Sequence, residues 1–363
     1  MVAVSNDRDA ARVTRHSWGQ TSRGERVDSF VLTQSSGARV ELLELGATLV
    51  SLYVPVGDGL RQVVLGCDTV ADYERQAAAM GAVVGRCANR TGHGLLAIDG
   101  ITYELEINHG DHHLHGGERG FGRRVWEGHV RDDPRGPSVR FTRTSPDGEG
   151  GYPGALNVSV DYTLGHDACL WLEYRAVCDA PTAVNLTNHA YFNLGGEDLL
   201  DCKDHVITVQ ADRFIETDAE QIPTGRLLSV DGTPLDLRHA QRFGEGLAST
   251  DSLITEVSGF DHGLVFSEGR GPEQEVARVL APDGRLAMYV RTDQPSLQLY
   301  TGNFLAGTPA RGGGEYGAYA GFALETQGFV DATKHAHFPS ISLLPGEVYK
   351  QRTAYAFEAR DAN

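Results

Sequence analysis

Residues 157–177 read NVSVDYTLGHDACLWLEYRAV, two apolar–polar alternations separated by a short polar break. Successive side chains of a strand stand on opposite faces, so a period of two sorts them into layers. In the first run Val158, Val160, Tyr162 and Leu164 share one face, and Asn157, Ser159, Asp161 and Thr163 share the other. In the second run Leu170, Leu172, Tyr174 and Ala176 line up in the same way. The intervening LGHDA is short and polar enough for a hairpin turn. The stretch therefore predicts two adjacent antiparallel strands, each with an apolar face that must be buried against another layer.

Similar runs recur outward in both directions: FVLTQ, RVELLEL, TLVSLYVP, SVRFTRT, HVITVQA, RLAMYVRT, SLQLYTG, ISLLP and TAYAFEA, separated by clusters of Gly, Pro, Asp and Ser. Forty-four glycines suit a chain with many turns. The good helical candidate is TVADYERQAAAM, with Thr69 placed to cap its start. Alternating βα units are missing, which argues against a doubly wound parallel sheet. The expectation is an all-β chain, a large antiparallel β-sandwich with few short helices. Without a long linker, charge block or short-period repeat, residues 1–363 parse as a single domain, with about residues 1–25 a loosely ordered lead-in.

Composition narrows the partners. A net charge of −17 repels phosphate backbones and anionic lipid, so neither nucleic acid nor membrane is expected as a partner, and a neutral small molecule is. No apolar run approaches the about 18 residues needed to span a bilayer. The N-terminus lacks the basic start, apolar middle and small-residue cleavage site of a secretory signal, which predicts a cytoplasmic protein. Five cysteines, Cys67, Cys87, Cys169, Cys178 and Cys202, are odd in number and show no CxxC spacing; they read as buried thiols.

Polar signals gather in four segments: GRCANR (85–90), NHGDHHLHGG (108–117), LTNHAYFNLGG (186–196) and FALETQGF (322–329). Each taken alone admits a structural role. Glu325 ends an apolar run, where a buried carboxylate needs either a partner or a purpose. His189 is equally open between a packed, hydrogen-bonded imidazole and a proton donor aimed into a cleft. Arg90 beside Asn89 offers donors suited to hydroxyl oxygens, although arginines commonly make surface contacts. His112, His113 and His115 raise the question of metal, but no second cluster supplies the spaced ligands of a zinc site, so none is expected.

Taken together the four segments resemble the aldose 1-epimerase family, the galactose mutarotases. The resemblance runs from RVELLELGATLVSLYVP to LLPGEVYKQRTAYAFEA and rests on eight motifs in family order: GAVVGRCANR, LHGGERGFGRRVW, SPDGEGGYPGALNVSVDYTL, LTNHAYFNLGG, IPTGRLLSVDGTPLD, GFDHGLVF, QLYTGNFLAGT and LETQGF. It implies a galactose mutarotase-like supersandwich with the sugar in a cleft on one side. It also implies that the chain interconverts the α and β anomers of a free aldohexose such as galactose or glucose. Glu325 would be the general base and His189 the general acid. Asn89, Arg90, His115, Asp261 and Gln298 would bind the sugar. The base takes the C1 hydroxyl proton while the acid protonates the ring oxygen; the open aldehyde rotates about C1–C2 and recloses. With no redox step or covalent intermediate, no cofactor is implied. This scheme expects Glu325 to start ionised and His189 protonated.

The chain departs from the family where proline is usual at Val330, where proline-asparagine is usual near Thr333-Lys334, and where asparagine is usual at His112. These positions bear on the loop after the base and on hydroxyl recognition. Three other readings share the scaffold. One is a non-catalytic sugar-binding protein, which has no need of a matched acid and base. Another is a glycoside-cleaving enzyme using Asp261 and Glu325 as its carboxylate pair. The third is a sugar-phosphate epimerase, which calls for a cluster of cations at the cleft; Arg90 and the group Arg119, Arg123 and Arg124 are the ones available.

Overall fold

The strands 156–164 and 170–178 form as expected: Leu156–Leu164 and Leu170–Cys178 pair antiparallel from Leu156↔Cys178 to Leu164↔Leu170. The faces sort as the alternation requires, with Val158, Val160, Tyr162 and Leu164 buried opposite Leu170, Leu172, Tyr174 and Ala176. The computed structural model describes residues 11–267, 269–271 and 274–361. Among the described residues these two strands belong to a nine-stranded antiparallel sheet. Its order runs Glu127–Arg131, Ser138–Ser145, Leu156–Leu164, Leu170–Cys178, Tyr349–Ala359, Leu286–Thr292, Glu275–Leu280, Val206–Val209 and Gln241–Arg242. Two five-stranded sheets accompany it. One is built from residues 12–62 in sequence order; the other is ordered Pro223–Ser229, Ala211–Thr217, Asp261–Phe266, Ser296–Tyr300 and Ala323–Gln327.

The inner faces of all three sheets share one apolar core, in which Phe30 and Leu52 of the first small sheet, Phe141 and Leu172 of the large one, and Leu264 and Leu299 of the other meet. Phe30 meets Phe141 edge to face with centroids 5.6 Å apart, a geometry the ring quadrupole favours. Two tyrosine hydroxyls caught between layers are paired: that of Tyr355 donates to the Leu324 carbonyl at 3.3 Å, and that of Tyr162 to the Ala47 carbonyl at 2.8 Å. This is the antiparallel sandwich that the alternation predicts.

Two expectations need correction. Of the lead-in, residues 1–10 lie outside the described residues, but Arg12–Gln20 is a strand in register with Arg26–Thr33. The Arg15 guanidinium bonds the buried Asp28 carboxylate at 2.6 Å, which holds this edge strand down. The helix begins at Val70 with Thr69 accepting from the Asp72 N–H at 3.1 Å, but it stops at Arg75 instead of continuing to Met80. Gln76 turns extended, and its side chain ends the helix by donating to the Tyr73 carbonyl and accepting from Met80 N–H. The freed residues 77–81 then cross toward His189, whose carbonyl accepts from Gly81 N–H at 2.8 Å.

Candidate active site

Backbone pairing brings three of the four polar segments together. Val83–Val84 pairs with Thr187–Asn188, and Arg90–Thr91 pairs with His113–Leu114. The fourth segment arrives through Phe192 and Phe322, which exchange both backbone hydrogen bonds, at 2.7 and 2.9 Å. In an antiparallel register, three residues back from Phe192 lies opposite three residues forward from Phe322. Those residues are His189 and Glu325. Continuing in the same direction, the Asn185 side chain bonds both backbone groups of Gly328, donating at 3.1 Å and accepting at 2.8 Å.

The residues around His189 serve to fix it. Its own N–H donates to the Ala82 carbonyl at 2.9 Å. The Asn188 amide donates to the Gly81 carbonyl at 2.7 Å and to the Tyr162 hydroxyl at 3.1 Å, while its oxygen accepts from Ala190 N–H. Tyr191 stacks on the imidazole with centroids 4.8 Å apart, and its hydroxyl reaches the Ala78 carbonyl at 3.1 Å.

At the floor of a cleft of about 970 Å³, His189 Nε2 stands 3.5 Å from Glu325 Oε1. Both side chains are nearly enclosed, with His189 5% and Glu325 2% exposed. Their remaining polar atoms, His189 Nδ1 and Glu325 Oε2, have no hydrogen-bond partner. Burial pushes the imidazole down to about 4 and pushes the carboxyl well above its ordinary value, reinforced by Asp261 and opposed by Arg90. Burial therefore disfavours the charged form of both groups and favours a neutral acid beside a neutral imidazole over the ion pair expected from the sequence, since neither charge is compensated for its lost hydration. The two forms contain the same single proton. Moving it from Oε1 to Nε2 yields the base and acid together, so the titration belongs to the pair.

Asn89, Arg90, His115 and Asp261 also line this cleft, with Tyr300, which pairs with Asp261 in the ladder, and Phe304. Asn89 and His115 both adopt positive φ, 62° and 52°, which sets one turn against the other: the Asn89 N–H donates to His115 Nδ1 at 3.2 Å. That bond leaves the neutral His115 ring its proton on Nε2. Burial, then His189 and Arg90, push this imidazole well down, so it acts as a neutral donor. Asn89 Oδ1 accepts from the Arg90 N–H at 2.7 Å and from its guanidinium at 3.3 Å.

Gln298 lies opposite Glu325 in the ladder and donates to Asp261 Oδ1 at 2.6 Å. It borders a small adjoining recess of about 20 Å³ rather than the main cleft. Gln221, which the sequence reading missed, donates to Asp261 Oδ2 at 3.3 Å. Both carboxylate oxygens of Asp261 are thus engaged by amides. The signal for Gln221 lay one residue before the IPTG motif, in a turn that Asp218 closes by accepting from Glu220 and Ile222 N–H.

His112 and His113 face other work. His113 bridges the Glu106 carbonyl at 2.6 Å and the Tyr152 hydroxyl at 2.7 Å. His112 accepts from His93 N–H at 3.0 Å, with Glu220 3.7 Å from its other nitrogen. Arg119 and Arg124 pair with Glu106 and Glu149, and Arg123 donates to the Glu74 carbonyl; among the described residues lining the cleft, none of the three appears.

The aldose 1-epimerase family model matches residues 28–356. The chain is similar to galactose mutarotase of Bos taurus, 41% identical over 348 residues that cover 95% of this chain and 98% of that protein. It is 38% identical to aldose 1-epimerase of Escherichia coli strain K12 over 340 residues, covering 93% and 96%. Among solved structures it is similar to the aldose epimerase homologue from C. elegans, with a TM-score of 0.82 at 32% identity over 97% of this chain and 100% of the other. Galactose 1-epimerase from Lactobacillus acidophilus gives a TM-score of 0.83 at 28% identity, with the same coverage.

Proposed function

From the premise that the chain belongs to the aldose 1-epimerase family and is an isomerase of aldose anomers, we propose which groups move the protons and which hold the sugar. Glu325 takes the C1 hydroxyl proton as the electron pair of that oxygen forms the carbonyl. The C1–ring oxygen bond breaks, and the ring oxygen takes its proton from His189. Rotation about C1–C2 presents the other carbonyl face, and both transfers reverse on closure. One proton leaves the sugar and one enters it, matching a pair that carries one proton in total. Binding of sugar hydroxyls brings polar partners to atoms that otherwise have none, which favours the charge-separated form needed for the first transfer. His115 donates from Nε2 toward the ring oxygen or a neighbouring hydroxyl, Arg90 and Asn89 bind hydroxyls, and Asp261, aligned by Gln298 and Gln221, accepts from a diol.

The single observation carrying this reading is the enclosed Glu325–His189 pair, 3.5 Å apart at the cleft floor. A pure sugar-binding protein has no need of so costly a pair. A carboxylate already held by two amides suits Asp261 to binding better than to glycoside cleavage. The preferred substrate is a free aldohexose, galactose or glucose, and no cofactor is invoked. Five free cysteines support residence in a reducing, cytoplasmic setting. The test is NMR exchange or polarimetry on freshly dissolved α-anomers across a panel of aldoses. Rates equal to the uncatalysed ones for galactose and glucose would remove the reading.

A further inference from the structure

The turn that follows Arg90 is gripped through both backbone groups of one glycine. Gly92 N–H donates to Asp331 Oδ2 at 3.1 Å, and the Gly92 carbonyl accepts from Lys334 Nζ. Lys334 Nζ closes the ring with an ion pair to the same Asp331 oxygen at 3.0 Å; the Asp331 side chain is fully enclosed and that of Lys334 is 28% exposed. Burial pushes the Asp331 carboxyl up, while Lys334 and the Gly92 N–H draw it back down.

A larger residue here would displace the side chains that make the ring. A Cβ at position 92 would lie 2.8 Å from Lys334 Nζ, 2.9 Å from Ile222 Cγ2 and 3.1 Å from Asp331 Oδ2. Three functional segments therefore meet at one point: the turn carrying Arg90, the segment leaving the strand that carries Glu325, and Ile222 beside Gln221. The other restraints on Arg90 lie on its N-terminal side. They act before the turn: Asn89 exchanges bonds with His115, its N–H to Nδ1 and its carbonyl from the His115 N–H, and the ladder to His113–Leu114 is two residues long.

We propose that Lys334 and Asp331 are positioning residues, which fix where the Arg90 guanidinium stands in the cleft and thereby set the affinity for the sugar. The proposal rests on the reading of Arg90 as a sugar-binding residue. Losing the lysine leaves the Gly92 carbonyl with the Leu95 N–H alone and an enclosed carboxylate without its cation, and the turn relaxes. The effect is on binding, since Glu325 and His189 are fixed by other bonds.

Saturation kinetics with a fresh α-anomer test it in Lys334→Met, Lys334→Arg, Arg90→Met and the Lys334→Met/Arg90→Met double variant. Lys334→Met raises KM about tenfold with kcat within about twofold, Lys334→Arg recovers most of the loss, and Lys334→Met adds nothing once Arg90 is gone, as expected of coupled neighbours. The limb of the pH–rate profile governed by Glu325 moves to higher pH in both single Met variants, because the Arg90 cation opposes the upward push that burial and Asp261 give that carboxyl. Should Lys334→Met lose its melting transition, Lys334→Gln, which keeps a donor, takes its place in the cycle. An unchanged KM in Lys334→Met, or the same tenfold rise in the Arg90→Met background, overturns the positioning role. An unchanged KM in Arg90→Met overturns the sugar-binding reading beneath it.

Discussion

Glu325→Gln separates the chemistry of this site from its architecture, because glutamine preserves size and hydrogen bonding while removing the base. The native carboxyl is enclosed, has one oxygen 3.5 Å from His189 Nε2 and the other unpartnered, and is held well above its ordinary value by burial. Losing a positioned general base lowers kcat by about 10²–10⁴, or about 2.7–5.4 kcal/mol in activation free energy. Stability responds in a different way. A carboxyl with a raised folded pKa keeps its proton in the native state when the unfolded chain has released its own. The native state then binds more protons at this group, and its contribution to wild-type stability declines as pH rises above the ordinary value of 4.5. Glutamine has no such dependence, so the stability of Glu325→Gln relative to wild type improves from pH 5 to pH 8. Polarimetric initial rates measure the first effect, and urea midpoints at the two pH values measure the second. Near-normal kcat would exclude Glu325 as the base, and a stability difference indifferent to pH would refute the burial argument.

His189→Asn should lower kcat far more than it raises KM, since asparagine still hydrogen-bonds the sugar but cannot supply a proton; a change confined to KM would shift the acid role to His115. The folded His189 imidazole is depressed from 6.5 to about 4, so the unfolded chain binds the extra proton between those values and stability is lost as pH falls through that window. In His189→Asn the loss on acidification from pH 6.5 to 4 is shallower, and parallel curves would contradict the assignment. Tyr162→Phe removes the bond to Ala47 and one of the two made by the Asn188 amide, and should cost about 1–3 kcal/mol by urea denaturation. A variant as stable as wild type would show that neither bond matters. Prolonged chelation should leave the rate unchanged, and activity lost with chelator and restored by zinc would contradict that.

The layers of the fold were legible because burial imposes alternation. Val158, Val160 and Tyr162 could be assigned to a face from spacing alone, and so could their partners from Leu170 to Ala176. The edge strand Arg12–Gln20 was not legible, since its half-exposed side chains alternate weakly and its attachment depends on Arg15 reaching Asp28. The helix end at Arg75 was hidden in an alanine-rich run with good propensity, overridden by the Gln76 side chain and by the backbone bond from Gly81 to His189. In the site, residue types and motifs pointed to His189 and Glu325, but their resting protonation is a property of enclosure, which a sequence does not display. Gln221 and the ring formed by Gly92, Asp331 and Lys334 depend on side chains converging from distant segments, and no local pattern announces them.

The place of Tyr349–Ala359 in the large sheet bears on how the chain can be made. This strand sits between Leu170–Cys178 and Leu286–Thr292, both of which precede it on the ribosome. Until it emerges, the nascent sheet is two separate half-sheets, each with an unpaired edge. Exposed edges invite pairing with other chains, so protection during synthesis should matter most between translation of residue 178 and release of residue 359. A stalled or truncated chain would present both edges at once.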